Sequence, residues 1–239
     1  QHIGRHMSPL DFLKLVLPLQ GKTVLGLAQP RDDGGLWFKW KDYNTVEEAA
    51  SAATYFNGRG ETVYFGVNSF GDWYTDETTG KRHIRTQENI VACRALFDDF
   101  DVDVKKADAA DTKEEALENV IKLAKALRLT PTIVNSGGGY HSYIHFDEDI
   151  TPAVWEELAA LKRDISLHLN VKADRAVDGD IARILRPVGM LNHKYDPPRA
   201  VELLKVGKTY SVDKVRETLT SYIRENNVEP APVASKKGD

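Results

Sequence analysis

A run of acids interrupts an apolar segment that reads Leu-Phe-Asp-Asp-Phe-Asp-Val-Asp over residues 96–103. Aspartate is a poor strand former, whereas the Phe and Val residues between the acids are good ones. Side chains two apart on a strand share one face, so a strand here would present Asp99, Asp101 and Asp103 together. Carboxylates held this close repel one another unless a cation lies between them, and the usual cation is a divalent metal. The alternative is an exposed polar strand face.

Three glycines follow a later predicted strand, in the segment Asn-Ser-Gly-Gly-Gly-Tyr-His that contains Gly137, Gly138 and Gly139. Glycine backbone lets a ligand approach closely, and successive amides can form an anion-binding concavity. Ser136 and His141 lie on either side of the glycines, and His141 is a candidate hydrogen-bond donor to a phosphate group. The segment lacks the Gly-Lys-Ser/Thr of a P-loop, and no helix follows, which excludes a dinucleotide fingerprint. A plain glycine-rich hairpin turn is the alternative.

Cations follow a further acid, Asp174, in quick succession. They are Arg183, Arg186 and Lys194, with Asn192 between the last two. Arginine binds phosphate bidentately, and lysine meets it as a point charge. This segment therefore predicts a local basic patch, and a solvated charged loop is the alternative.

Composition limits the function classes. The 239 residues are 41% hydrophobic and 28% charged, which is ordinary for a globular protein. The net charge of −4 excludes a global basic field, so any polyanion must be held locally. The single cysteine, Cys93, excludes an internal disulfide and a Cys-rich zinc site, so no zinc is expected. No apolar stretch approaches the roughly 18 residues of a membrane span. We expect a cytoplasmic protein without membrane contact.

Periodicity and capping residues predict an interleaved series of strands and helices. Helices are expected over 10–17, 45–56, 112–127, 151–169 and 212–225, and strands over 23–27, 36–40, 63–68, 90–104, 132–135, 140–146 and 200–206. The strands at 132 and 140 are close enough to pair as a hairpin, which favours an α+β fold with a mixed or antiparallel sheet. Residues 1–6 are typical of an expression tag before a natural Met7, and residues 227–239 of a linker to a further domain.

The three motifs, in this order over roughly residues 90–204, resemble the archaeo-eukaryotic primase (AEP) superfamily. The resemblance is strongest to the primase-polymerase domains of phages and plasmids. The family's Asp-x-Asp matches Asp99 to Asp101, its Ser-Gly-Gly-Gly-x-His matches Ser136 to His141, and its third Asp matches Asp174. One turn departs from the family, which usually reads Arg-x-Pro-Gly-Thr-x-Asn where this chain reads Arg-Pro-Val-Gly-Met-Leu-Asn.

The resemblance implies a fold and a metal site. The fold is an RRM-like sheet core with flanking helices, over about 90–226, beside an N-terminal α/β module over about 7–89. The implied catalytic residues are Asp99, Asp101 and Asp174, which would hold two Mg²⁺ or Mn²⁺ ions. Two alternatives stay open: a shifted pair, Asp101 with Asp103, and Asp180 as third ligand.

The resemblance also implies the substrates. The nucleotide-binding residues would be Ser136, Gly137, Gly138, Gly139, His141, Arg183, Arg186, Asn192 and Lys194. The reaction would be primer synthesis or extension from NTPs or dNTPs on a single-stranded DNA template. It would serve the replication of a phage, plasmid or mobile element. A helicase module or partner would follow the linker. The alternatives are a Mn²⁺-dependent sugar transferase with an Asp-x-Asp motif and a non-catalytic single-strand-binding initiator.

Overall fold

The computed structural model describes residues 7–231, and each of its five α-helices begins directly after a Ser or Thr residue. The helices are α1 (Pro9–Val16), α2 (Val46–Gly58), α3 (Lys113–Leu127), α4 (Pro152–His168) and α5 (Val212–Asn226), with a 3₁₀ turn at Gln87–Asn89. A Ser or Thr side chain accepts a backbone N–H at the start of all five α-helices, which satisfies a donor that the helix itself leaves free. Local sequence therefore sets where the helices begin.

The strands form two main sheets. They are β1 (Thr23–Pro30), β2 (Leu36–Tyr43), β3 (Thr62–Gly66), β4 (Ser69–Phe70), β5 (Tyr74–Thr75), β6 (Arg82–His83), β7 (Ile90–Phe100), β8 (Thr132–Asn135), β9 (Tyr140–Ile150), β10 (Ile184–Leu185), β11 (Leu191–Asn192), β12 (Arg199–Ala200), β13 (Glu202–Lys205) and β14 (Thr209–Tyr210). The strand predicted over 200–206 is thus two shorter pieces. The polar composition of residues 69–82 predicts a loop, but three short strands, β4, β5 and β6, begin within this segment.

The larger sheet has the order β13-β8-β9-β7-β4, with β14 alongside β9. The hairpin predicted between residues 132 and 140 is confirmed as the antiparallel pair β8–β9. Strands β7 and β8 are joined through α3 and both pair with β9, which lies between them, as in a split β-α-β unit. The α+β fold class predicted from the sequence is confirmed.

Strand β7 is shorter than predicted, and this changes the acid run. The strand ends at Phe100 rather than at residue 104, because the chain closes a loop in which the Ala110 amide donates to the Asp101 carbonyl and the Asp103 amide donates to the Ala110 carbonyl. Asp101 and Asp103 therefore both lie beyond the strand, and the prediction that three acids share one strand face is wrong.

The smaller sheet has the order β10-β3-β1-β2 and shows that the two predicted modules interleave. Its edge strand β10 comes from the C-terminal half, while β4 of the N-terminal half pairs with β7 in the larger sheet. One hydrophobic core runs through both, and it includes the buried thiol of Cys93. A module boundary near residue 89 stays a prediction. Within residues 7–231, no helix is long and apolar enough to cross a membrane.

The helical period of the sequence predicts that α3 has an apolar stripe made of Leu117, Val120, Ile121, Ala124 and Leu127, and this prediction is partly wrong. The residues that α3 buries are Ala116, Asn119, Val120, Leu123 and Leu127. Ile121, expected in the stripe, is 39% exposed. Two neighbouring stripes satisfy the same helical period here, and packing against the sheet selects between them.

Candidate metal and nucleotide site

Three carboxylates meet at the end of β7. Asp99, Asp101 and Asp174 each offer one oxygen, and these oxygens lie within 4.8 Å of one another. Asp99 is on the strand, Asp101 follows it directly, and Asp174 lies in the loop after α4. The Asp174 amide donates to the Asp99 carbonyl at 2.8 Å, so a backbone hydrogen bond holds the distant acid beside the first two.

The two alternative ligands lie outside this cluster of described acids. The Asp103 carboxylate accepts a hydrogen bond from the Lys105 amide at 3.0 Å. The Asp180 carboxylate accepts one from the Ala182 amide at 3.1 Å. Both side chains stabilise local turns, as short acidic side chains often do.

Asp99 has the most perturbed environment of the three. Burial, together with the charges of Asp101 and Asp174, raises its pKa to about 8, although the charges of Arg183 and Arg186 oppose the shift. Its Oδ1 has no hydrogen-bond partner among the described residues. A buried, unpartnered carboxylate beside two others is unfavourable without a cation. Because all the donors are oxygens, the cluster fits a hard divalent ion such as Mg²⁺ or Mn²⁺.

His141 faces Asp99 across the β7–β9 pair. Its Nε2 is 3.8 Å from Asp99 Oδ1, and its ring is only 1% exposed. Burial, with a smaller contribution from Arg186 and Arg183, lowers the pKa of His141 to about 3, so the ring is neutral at physiological pH. Its Nδ1 has no partner within residues 7–231. A neutral ring offers one N–H donor and one acceptor nitrogen, and adds no charge to the site.

The glycine segment is a tightly bonded hairpin turn. The Gly137 amide donates to the Asn135 side chain at 3.0 Å, and the Gly139 amide donates to the Ser136 hydroxyl at 3.2 Å. Two of the amides proposed to bind an anion are therefore used inside the turn, and so is the Ser136 hydroxyl oxygen. The Asn192 side chain donates to the Ser136 carbonyl at 3.0 Å, which makes Asn192 a brace for this turn.

Gly139 brings the glycine turn into close contact with the end of β7. A Cβ at Gly139 would collide with the Phe100 carbonyl oxygen, which is backbone and cannot swing away, whereas a Cβ at Gly138 would meet only the tip of the Tyr195 side chain. We expect Gly139→Ala to cost about 1–3 kcal/mol of stability. Thermal unfolding should show Gly138→Ala much closer to the wild type. Equal melting temperatures for the two variants would contradict the close approach.

The arginines surround the carboxylates, while Lys194 does not. Arg183 Nη2 is 3.8 Å from Asp174 Oδ2. Arg186 Nη2 donates to the Tyr64 hydroxyl at 2.5 Å, and its guanidinium lies 4.7 Å from the centre of that ring. Lys194 contributes a backbone amide to Asn192, with no ion pair of its side chain within the described chain. Two of the three predicted cations therefore reach the site.

Sequence reasoning missed a buried ion pair directly behind the site. Asp98 points to the opposite side of the strand from Asp99 and pairs with Lys162 of α4, which also donates to the Phe97 carbonyl at 3.2 Å. The Lys162 side chain is 1% exposed. A signal was present, because Lys162 falls at helical spacing between the buried Leu158 and Ile165.

Comparison with known proteins identifies the fold through structure alone. No protein-family profile and no curated protein sequence matches the chain. Among solved structures, the AEP domain of the cyanophage S-2L primase-polymerase matches with a TM-score of 0.59 and 15% identity, over 87% of this chain and 94% of that one.

Two structures of the primase RepB′ agree. Its catalytic domain in complex with initiator DNA matches with a TM-score of 0.52 and 14% identity, over 92% of this chain and 98% of that one. A second RepB′ structure matches with a TM-score of 0.52 and 16% identity, over 92% of this chain and 65% of that one. At these identities the likeness establishes a common fold.

Proposed function

We propose that this chain, which has the fold of AEP-domain primase-polymerases, is a metal-dependent, template-directed nucleotidyltransferase that makes and extends primers on single-stranded DNA. The observation that carries the proposal is the meeting of Asp99, Asp101 and Asp174 beside two arginines. Nucleotidyl transfer needs such an arrangement, with carboxylates for metal and cations for the triphosphate.

The chain's own residues have distinct tasks in this reaction. Asp99, Asp101 and Asp174 would hold two divalent ions, which when bound activate the primer 3′-hydroxyl and offset charge on the leaving pyrophosphate. The 3′-hydroxyl gives its proton to water and its oxygen attacks the α-phosphorus. The bond between that phosphorus and the oxygen bridging the α- and β-phosphates breaks, and pyrophosphate leaves with the bridging oxygen. Arg183 and Arg186 would bind the triphosphate oxygens.

The remaining predicted nucleotide-binding residues support these groups. His141 would donate its single N–H from the buried side of Asp99 to a phosphate or carboxylate oxygen. Ser136 and the glycine turn would hold the floor of the site, with Asn192 as its brace. Lys194, at the rim, would meet phosphate or template once substrate is bound.

The proposed substrates are NTPs or dNTPs with a single-stranded template and primer. The RepB′ catalytic domain was solved with initiator DNA, which supports DNA as the partner here. Replication of a phage, plasmid or mobile element in the cytoplasm is the proposed setting. The proposed linker to a helicase module begins at residue 227, and residues 232–239 of it lie outside the described residues.

Primer synthesis on single-stranded DNA tests the proposal. We expect labelled NTPs or dNTPs to be incorporated into oligonucleotides complementary to homopolymer templates with Mg²⁺ or Mn²⁺, and EDTA to abolish the product. Failure of a folded protein with every nucleotide and metal, with and without a primer, would reject polymerisation. Sugar transfer from a nucleotide sugar would instead support the transferase alternative, and metal-independent DNA binding without incorporation would support an initiator.

A further inference from the structure

The outer face of the smaller sheet carries three aromatic rings, Phe38 and Trp40 on β2 and Tyr64 on β3, which we name the aromatic platform. Phe38 and Trp40 stack with ring centres 5.2 Å apart, and Tyr64 meets Phe38 edge-on at 5.5 Å. The neighbouring Lys41 lies over Phe56 of α2 on the opposite face. Because strand side chains alternate, the platform faces away from the helices.

Gly26 on β1 leaves room for the rings of the platform. It lies between Trp40 and Tyr64 in the two neighbouring strands. A Cβ at Gly26 would come 2.6 Å from the Trp40 ring and 3.2 Å from the Phe38 ring. The missing side chain therefore lets these rings lie across β1, and glycine in the middle of a strand commonly marks such a close approach. All three rings remain partly exposed.

Two arginines border the platform. The Arg85 guanidinium lies 4.8 Å from the centre of the Trp40 ring, with Nη1 donating to the Ala182 carbonyl at 2.7 Å. The Arg186 guanidinium lies over Tyr64, and both arginines keep a buried Nε without a partner within residues 7–231. Partly exposed rings with fixed cations beside them match the bases and phosphates of a single nucleic-acid strand.

The platform is continuous with the metal site through β10. Arg183 immediately precedes this two-residue strand and reaches Asp174, while Arg186 immediately follows it and reaches Tyr64. Because β10 pairs with β3, the same short segment borders both the carboxylates and the rings. A strand lying on the platform would be directed to the site where nucleotides are joined.

We propose that the aromatic platform binds the single-stranded template, with bases stacked on Phe38 and Trp40 and backbone phosphates held by Arg85, while Arg186 at the border binds the triphosphate of the incoming nucleotide. The inference rests on the proposed function and adds the surface that positions the template. Single-stranded rather than duplex DNA is the expected occupant, because only unpaired bases expose their faces for stacking on protein rings. The three family motifs follow residue 90, so the rings of this surface lie outside them, and Arg85 is the one residue before them that the sequence offers for template contact.

Binding of a labelled oligo-dT, in EDTA and without nucleotide, tests the platform separately from catalysis. We expect Trp40→Ala to weaken binding about tenfold or more, since stacking on one aromatic side chain contributes this much. The matched control is Trp37→Ala, because Trp37 is 46% exposed on the same strand but has the opposite side-chain direction. That control should bind within about twofold of the wild type.

Two further variants keep the test decisive if Trp40→Ala unfolds. Gly26→Ala keeps every ring but displaces Trp40, and should also weaken binding. Arg85→Gln should lower the slope of log affinity against log salt by about one. Trp40→Ala, folded by circular dichroism, with wild-type affinity would overturn the proposal. So would equal losses in Trp37→Ala, or a loss of mononucleotide binding alone.

The two proposals fail separately. If primer synthesis is absent while Trp40→Ala still impairs oligonucleotide binding, the platform stands and the proposed catalysis does not. If primer synthesis occurs and Trp40→Ala leaves both binding and synthesis unchanged, the catalysis stands and the platform is rejected.

Discussion

Asp99→Asn is expected to abolish nucleotidyl transfer and, in metal-free buffer, to make the protein more stable. The activity should fall by about three orders of magnitude or more, because the variant removes a buried ligand from a site whose chemistry depends on bound metal. Stability should rise because the buried Asp99 carboxylate lies beside two other carboxylates, and its Oδ1 has no hydrogen-bond partner among the described residues. Stability given up for function in this way is common at active sites.

The gain in stability should depend on pH with a definite sign. The folded-state pKa of Asp99 is raised to about 8, above the ordinary carboxylate value of the unfolded chain. Between these two values the folded protein binds the proton and the unfolded chain does not, so the wild type loses stability as pH rises from about 4 to about 8. Asparagine has no such proton. The advantage of Asp99→Asn should therefore grow over this range and then level off.

Thermal unfolding in EDTA at several pH values measures this effect, beside the primer-synthesis assay. Added Mn²⁺ should reverse the order of the melting temperatures, because it stabilises the wild type by binding the folded state. Asp103→Asn is the matched control, since Asp103 is a neighbouring acid engaged in a turn outside the cluster. Loss of activity in Asp103→Asn with retention in Asp99→Asn would overturn the ligand assignment.

Lys162→Met is expected to destabilise the protein by about 3–5 kcal/mol, the cost of leaving a buried charge unpaired. The side chain of Lys162 is 1% exposed and that of Asp98 is 4% exposed. The Asp98 carboxylate would therefore lose its buried partner and would not be hydrated in its place. The substitution also removes the hydrogen bond from Lys162 of α4 to the Phe97 carbonyl of the strand that carries Asp99.

The double variant Asp98→Asn/Lys162→Met separates the ion pair from packing. It removes both charges, and we expect it to recover most of the lost stability in urea unfolding. Lys172→Met serves as the surface control, because its ion pair with Glu115 is about one-third exposed and surface ion pairs contribute little to stability. A double variant as unstable as Lys162→Met would show that packing, and not the charge, was lost.

Much of the local structure follows from the sequence alone. The caps at Thr45, Thr112 and Thr151 mark helix starts because a side-chain oxygen and the amides it accepts lie within one turn. The hairpin between residues 132 and 140 is equally local, since a few glycine-rich residues join two apolar strands. The order of the three motifs can also be seen in the sequence, and it indicates the fold of the AEP-domain structures that match this chain.

Only the tertiary structure decided how these pieces meet. The strand ends at Phe100 because Asp101 bonds to Ala110, and Asp174 reaches Asp99 through a backbone hydrogen bond across 75 positions of sequence, 99 to 174. No periodicity encodes contacts at that separation. Periodicity also does not encode the pairing of Lys162 with Asp98 or the space at Gly26 that the Trp40 ring occupies. Burial and close approach of this kind arise only when distant segments pack together.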